Sequence, residues 1–171
     1  NYYAAGRAAE RLYKEGRIRA IGVTSFSDER LQDLFLHNEV KPAVNQIETN
    51  PLFQQKASNK FLKGEGIQHE AWAPFAEGQC DIFNNPTLKA IAANHGKTTA
   101  QVVLRWLNQR GIAVIPKSVR RERMEENISI LDFTLSDVEM EAISLLDTGR
   151  SPIYDDSDLS VTRYIGTLKI H

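Results

Sequence analysis

The stretch Ile115 to Arg123 (IPKSVRRER) places four basic residues, Lys117, Arg120, Arg121 and Arg123, within seven positions. An apolar run precedes it and a helical pattern follows. A helix N-terminus already carries partial positive charge, so cations gathered there repel it unless an anion is bound. Free backbone N–H groups, the Ser118 hydroxyl and the Lys and Arg side chains together make a cradle for phosphate. The competing reading is a solvated helix face with Glu122, Glu125 and Glu126 as counter-charges. Trp72 is the second candidate: near a strand end its indole face either stacks on a flat ring or fills a core. Trp106 lies on an amphipathic pattern and reads as core.

These residues need elements to hold them, and the chain supplies alternating ones. Ala4 to Glu15 is helical and Gly16 stops it. Ile18 to Val23 is a short β-branched run of the kind buried in parallel sheets. Ser27 and Asp28 cap a helix with Leu31, Leu34 and Phe35 on one face. Ala43 to Ile47 is the next strand, Gln54 to Lys63 the next helix, and Ile67 to Ala73 the third strand. Pro86 to Asn94 and Thr99 to Arg110 are helices, the latter opened by a Thr98–Gln101 capping box. Ile112 to Ile115 is the fourth strand. Helices from Arg121 to Ile128 and from the Ser136–Glu139 capping box to Leu146 follow, and Asp147 to His171 shows no period. Four βα units in series imply parallel strands with crossover helices, either doubly wound or barrel-forming. A whole (β/α)8 barrel takes about 250 residues, so four units make half of one.

In both folds ligands sit at the C-terminal strand ends. Those ends carry Thr24-Ser25-Phe26, Gln46 to Asn50, Trp72 to Phe75, and Pro116-Lys117-Ser118. Any single strand can end in polar residues without a ligand; four such ends in register point to a site. The length of 171 residues suits one domain. A net charge of -1 gives no bulk attraction to nucleic acid or membrane. No apolar run approaches the ~20 residues of a membrane span, and Asn1-Tyr2-Tyr3-Ala4 is not a signal pattern. Cys80 is the only cysteine, so there is no internal disulfide and no CxxC metal site, in keeping with a cytoplasmic location. The absence of an initial Met suggests a fragment or a processed product.

Three segments together resemble the aldo-keto reductases: GRIRAIGVTSF (Gly16 to Phe26), AVNQIETNP (Ala43 to Pro51) and IPKSVRRERMEEN (Ile115 to Asn127), in family order and spacing. The resemblance runs from Asn1 to about Gly149. AWAPFAEG (Ala71 to Gly78) is similar to the bacterial branch that includes 2,5-diketo-gluconate reductases. The resemblance implies a (β/α)8 TIM barrel, with residues 1–149 as its last βα units and 150–171 as a C-terminal tail over the substrate side. It implies reversible hydride transfer between NADP(H) and a small carbonyl substrate: an aldehyde, ketone or keto-sugar. It assigns Thr24, Ser25 and Gln46 to the nicotinamide carboxamide and Trp72 to the ring face. Phe75, Ala76 and Gly78 fall in the loop along the pyrophosphate. Lys117, Ser118, Val119 and Arg123, with Arg120 nearby, match the 2′-phosphate end, and Glu126 and Asn127 match the adenine contacts. The phosphate cradle read from the residues thus coincides with the 2′-phosphate site, which favours NADPH over NADH.

Two departures stand out. Ser25 replaces the family's Asn, and a hydroxyl is shorter than an amide with different bonding. The family's catalytic Asp, Tyr, Lys and His belong to the earlier strands. Tyr2, Tyr3, Tyr13, Tyr154 and Tyr164 match no such position, nor do His37, His69, His95 and His171. No catalytic residue is assigned. Tyr154 and Tyr164 are candidates for a substrate pocket or a surface anchor. The expectation is the cofactor-binding half of an NADPH-dependent reductase, inactive alone; the alternative is a non-catalytic half-barrel module. A full-length relative is expected to be a monomer. The isolated half, with open edges near Ile18 to Val23 and Ile112 to Ile115, is expected to self-associate.

Overall fold

A computed structural model describes residues 2–153 together with 159, 160, 163 and 167. The order is α1 (Tyr2–Lys14), β1 (Gly22–Thr24), α2 (Asp28–His37), β2 (Val44–Glu48), α3 (Lys56–Gly64), β3 (Gln68–Trp72), a 3-10 segment (Ala76–Asn84), α4 (Pro86–His95), α5 (Thr99–Gln109), β4 (Ala113–Val114), α6 (Arg121–Ile128) and α7 (Asp137–Ser144). All neighbouring strands pair in parallel, in the order β1-β2-β3-β4. The order never reverses, so these strands contain no switch point of the doubly wound kind.

Local chemistry sets the helix ends. Thr98 and Gln101 form a reciprocal capping box at α5, and Ser136 and Glu139 form another at α7; each such cap contributes about 1 kcal/mol. Ser27 accepts from the Arg30 N–H at the start of α2. The helix α3 starts at Lys56 rather than Gln54, because Gln55 adopts a left-handed conformation (φ 50). Gln54 is instead buried, its amide donating to Pro51 O and Ile143 O.

Two strands are shorter than the apolar runs suggest. Ile18 to Ile21 stay outside β1. Pairing starts at Gly22 opposite Val44, and one further bond, Ala43 N to Ile21 O at 2.7 Å, precedes it. At β4, Ile115 leaves the sheet before Pro116 and is 46% exposed, while Ile112 is buried just ahead of it.

The register divides the sheet into two unlike faces. Val23, Asn45, Ile47, His69, Ala71 and Val114 lie on the face covered by helices. One core there gathers Ala71, Val102, Trp106, Leu107 and Ile112 between α4, α5 and the sheet; a second gathers Leu31, Ile47, Leu62 and Ile67. Each large side chain fully buried this way contributes roughly 1.5–3 kcal/mol. The other face carries Thr24, Gln46, Glu48, Glu70 and Trp72, and no described helix covers it. Parallel sheets are ordinarily covered on both sides.

Candidate functional site

His69 and Asn45 are the polar residues on the covered face, and both are bonded there. Asn45 Nδ2 donates to Phe26 O at 2.9 Å, pinning the exit of β1 to β2. His69 Nδ1 lies 3.0 Å from Asn59 Oδ1, and its Nε2 lies 2.7 Å from Thr49 Oγ1. Burial, aided by the Arg110 charge, pushes the imidazole pKa down to about 4. The fold therefore favours the neutral ring. This contribution is complete above the unfolded value of 6.5 and is lost as the pH falls toward about 4, roughly 2 kcal/mol between pH 7 and 5. Urea unfolding at both pH values should show that loss in the native chain and little of it in His69→Gln. An unchanged acid slope in the variant would assign the sensitivity elsewhere. His69 is thus structural and faces away from the strand mouths.

The bare face holds the residues read from the sequence. Thr24 Oγ1 donates to Gln46 O at 3.1 Å, and Ser25 N donates to the same oxygen at 2.8 Å. Ser25 reaches it in a left-handed conformation (φ 55). Gln46 Nε2 donates to Glu70 Oε1 at 2.6 Å, and Thr24, Gln46 and Glu70 stand in one row across three strands. Half-buried Trp72 lies two residues beyond Glu70, on the same face and opposite Glu48. The Thr24–Gln46–Glu70 row and the Trp72 ring are therefore neighbours on this face.

The chain after β3 is tightly folded. Ala73, Ala76, Glu77, Cys80 and Asp81 all have positive φ without being glycine. Each such residue costs on the order of 1 kcal/mol, a strain that collects at functional sites. Ala76 is fully buried and its N–H donates to Ala73 O at 2.9 Å; Gly78 N donates to Phe75 O at 2.8 Å. Gly78 has open space around it, so its φ of 78 rather than crowding is what favours glycine there. Phe75 packs on Phe83, ring centroids 5.5 Å apart. The turn was not legible in the sequence, because Gly78 is its only conventional marker of positive φ.

The basic cluster lies where expected, at the start of α6. Arg120 is the N-cap residue and no side chain caps the helix. Ser118 Oγ accepts from Arg120 N at 3.1 Å, shaping the approach. The counter-charges are partly spent. Arg121 pairs with Glu125 at 2.8 Å, and Glu126 accepts from Thr98 Oγ1 at 2.5 Å, on the cap of α5. Among the described residues, Lys117, Arg120 and Arg123 have no ion-pair partner. Val119 is 81% exposed, and Asn127 is half-buried beside Glu126. The uncapped start of α6 and these three cations fall within seven positions of the chain.

The sequence profile of the Aldo/keto reductase family matches residues 2–147. The chain belongs to the aldo-keto reductase family. It is 46% identical over 145 residues to the glyoxal reductase of Bacillus subtilis (strain 168), which covers 85% of this chain and 52% of that protein. It is 43% identical over 157 residues to the morphine 6-dehydrogenase of Pseudomonas putida, covering 84% of this chain and 52% of the relative. Among solved structures it resembles a mutant of Gox0644 in complex with NADPH, at 36% identity and a TM-score of 0.83, over 96% of this chain and 57% of the other. The chain spans about half the length of the curated relatives it matches.

The segment after α7 is tied to the end of β2 and the loop behind it. Asp147 to Ile153 shows no period, yet it is fastened to the loops of the site. Asp147 Oδ1 accepts from Gln54 N at 3.2 Å, Thr148 N donates to Leu52 O at 2.8 Å, and Ser151 Oγ donates to Glu48 Oε2 at 2.6 Å. Glu48 ends β2 opposite Trp72, so the segment is tied beside that residue. Tyr154, Tyr164 and His171 lie outside the described residues. Among the described residues, no helix is long and apolar enough to cross a membrane.

Proposed function

We propose that this chain is the NADP(H)-binding half of a (β/α)8 reductase whose whole form reduces small aldehydes, ketones or keto-sugars. The observation that carries this reading is the uncapped start of α6, with Lys117, Arg120 and Arg123 unpaired among the described residues, on the same sheet end as the Thr24–Gln46–Glu70 row and Trp72. Lys117, Ser118, Val119 and Arg123 hold the 2′-phosphate end, with Arg120 beside them. Asn127 serves the adenine, and so does Glu126 once it shares its carboxylate with Thr98. Phe75, Ala76 and Gly78 line the diphosphate path. Thr24, Ser25 and Gln46 orient the carboxamide, and Trp72 covers the ring. The bound cofactor supplies the hydride; the residues of this chain bind and orient it. The NADPH-complexed relative supports the cofactor choice, and the named reductase relatives favour an oxidoreductase over a free-standing binding module.

Support for half a barrel comes from the uncovered face and from the free edge of β1. A groove of about 240 Å³ runs between α1 and β1, lined by Ala5, Ala9, Ile21, Val23 and Phe26. A further parallel strand would fill it and pair with Gly22 to Thr24.

Turnover by this chain alone is not expected. Carbonyl reduction needs a proton donor tuned to release its proton. Tyr2 and Tyr3 lie outside the strand mouths on α1, and both hydroxyls donate to Asp33 on α2. That bond raises the Tyr3 pKa, the wrong direction for an acid. The test is titration of the chain with NADPH and with NADH, followed by an NADPH oxidation assay with glyoxal as acceptor. Selective NADPH binding without turnover is expected; binding of neither nucleotide overturns the reading, and turnover overturns the inactivity. Self-association is expected in sedimentation, because both sheet edges are open. Pairing of half to half, or aggregation, is the expected form. A monodisperse monomer would refute it.

A further inference from the structure

Resting on the NADP(H) reading above, we propose that Glu70 is a positioning residue that fixes the Gln46 amide and biases the site toward the oxidised, positively charged nicotinamide. Gln46 and Glu70 are direct register partners on the bare face, joined at 2.6 Å. The two ends of a glutamine amide are nearly equal in shape, so something must choose which end faces the mouth. A carboxylate only accepts. Glu70 therefore holds the Gln46 NH2 toward β3 and leaves Oε1 to accept from a ligand amide. Thr24 and Ser25 do not share this task, since both bond to the main-chain oxygen of Gln46 rather than its side chain.

The second consequence is charge. Glu70 is half-buried, two residues below Trp72 on the same face. Among the described residues it pairs with no cation, its hydrogen-bond partner being a neutral amide. Its charge acts one side-chain amide away from the place assigned to the carboxamide. The oxidised ring carries a positive charge and the reduced ring carries none, so only the oxidised form gains from the carboxylate. Glu48, the other carboxylate of this face, is engaged by Ser151 and Asn50.

The experiment is calorimetric titration of the chain and its variants with NADP+, NADPH and 2′,5′-ADP, the last probing only the α6 end. In Glu70→Gln the amide keeps an acceptor but the charge is gone. NADP+ should bind about tenfold more weakly, with NADPH and 2′,5′-ADP within about twofold of the parent. In Glu70→Ala the acceptor goes as well, and NADPH should also weaken, about threefold to fivefold, with 2′,5′-ADP unchanged. Equal changes for NADP+ and NADPH in Glu70→Gln, or no change, overturn the proposal while leaving the cofactor reading intact. A parallel fall in 2′,5′-ADP affinity makes Glu70 a structural residue and also overturns it. A parent chain that binds none of the three removes the cofactor reading and this proposal together.

Discussion

Replacing Arg123 with alanine is expected to weaken NADPH binding by about 30- to 100-fold and to leave NADH binding within about twofold. The size follows from what Arg123 has nearby. Arg121 is occupied by Glu125, and Glu126 is drawn to Thr98, so neither offsets the cluster at the α6 start. Arg123 is exposed and unpaired among the described residues, and it stands in the first turn, where the helix already favours an anion. A 2′-phosphate dianion bound there gains a charge-assisted contact that a 2′-hydroxyl does not. Arg121→Ala, two positions earlier in sequence and already paired with Glu125, should change NADPH affinity much less. Titration of the three proteins with both nucleotides decides it. Equal losses for NADPH and NADH in Arg123→Ala would mean that the side chain supports the fold, and equal losses in both variants would mean that only bulk charge matters.

The contrast between Arg121 and Arg123 marks what the sequence could show. The basic run and its place between strand and helix were legible, because both are local patterns. Which of its cations stay unpaired was not, since that depends on Glu125 closing on Arg121 and on Thr98 reaching Glu126 from 28 residues away. The same division holds for the fold. Both capping boxes, the helices they open and the parallel sense of the strands followed from short-range spacing, while the order of the strands did not. The length of β1 depended on where its partner β2 begins, at Val44, which the β1 run itself does not announce. The anchoring of Asp147 to Ile153 depended on bonds such as Ser151 to Glu48, 103 residues apart, which no periodicity announces. The turn after β3 hid for another reason: its backbone adopts positive φ at Ala73, Ala76 and Glu77, residue types that signal helix. At the site itself, the resemblance named Gln46, but the partner that orients it, Glu70, emerged only from strand register.

The two tryptophans are expected to part company on substitution. Trp106→Ala should cost about 3–5 kcal/mol of stability, a fall of roughly 10 °C or more in melting temperature for a chain of this size. Trp106 is 1% exposed, in the core between α5 and the sheet. The Arg110 guanidinium lies 4.5 Å from its ring centroid and donates to Gln54 O at 2.7 Å, while burial pushes the arginine pKa down to about 10. Removing the indole thus opens a cavity and also strips a half-buried cation of the surface it lies on. Trp72→Ala removes a half-buried ring from the uncovered face, where less packing depends on it. Its stability cost should stay near 1 kcal/mol, with NADPH affinity falling about tenfold as the ring wall is lost. Melts and NADPH titrations on both variants separate the roles. A large stability loss in Trp72→Ala would place that residue in the core instead. A small loss in Trp106→Ala would mean that the α5 core closes over the void and that its packing is looser than the burial implies.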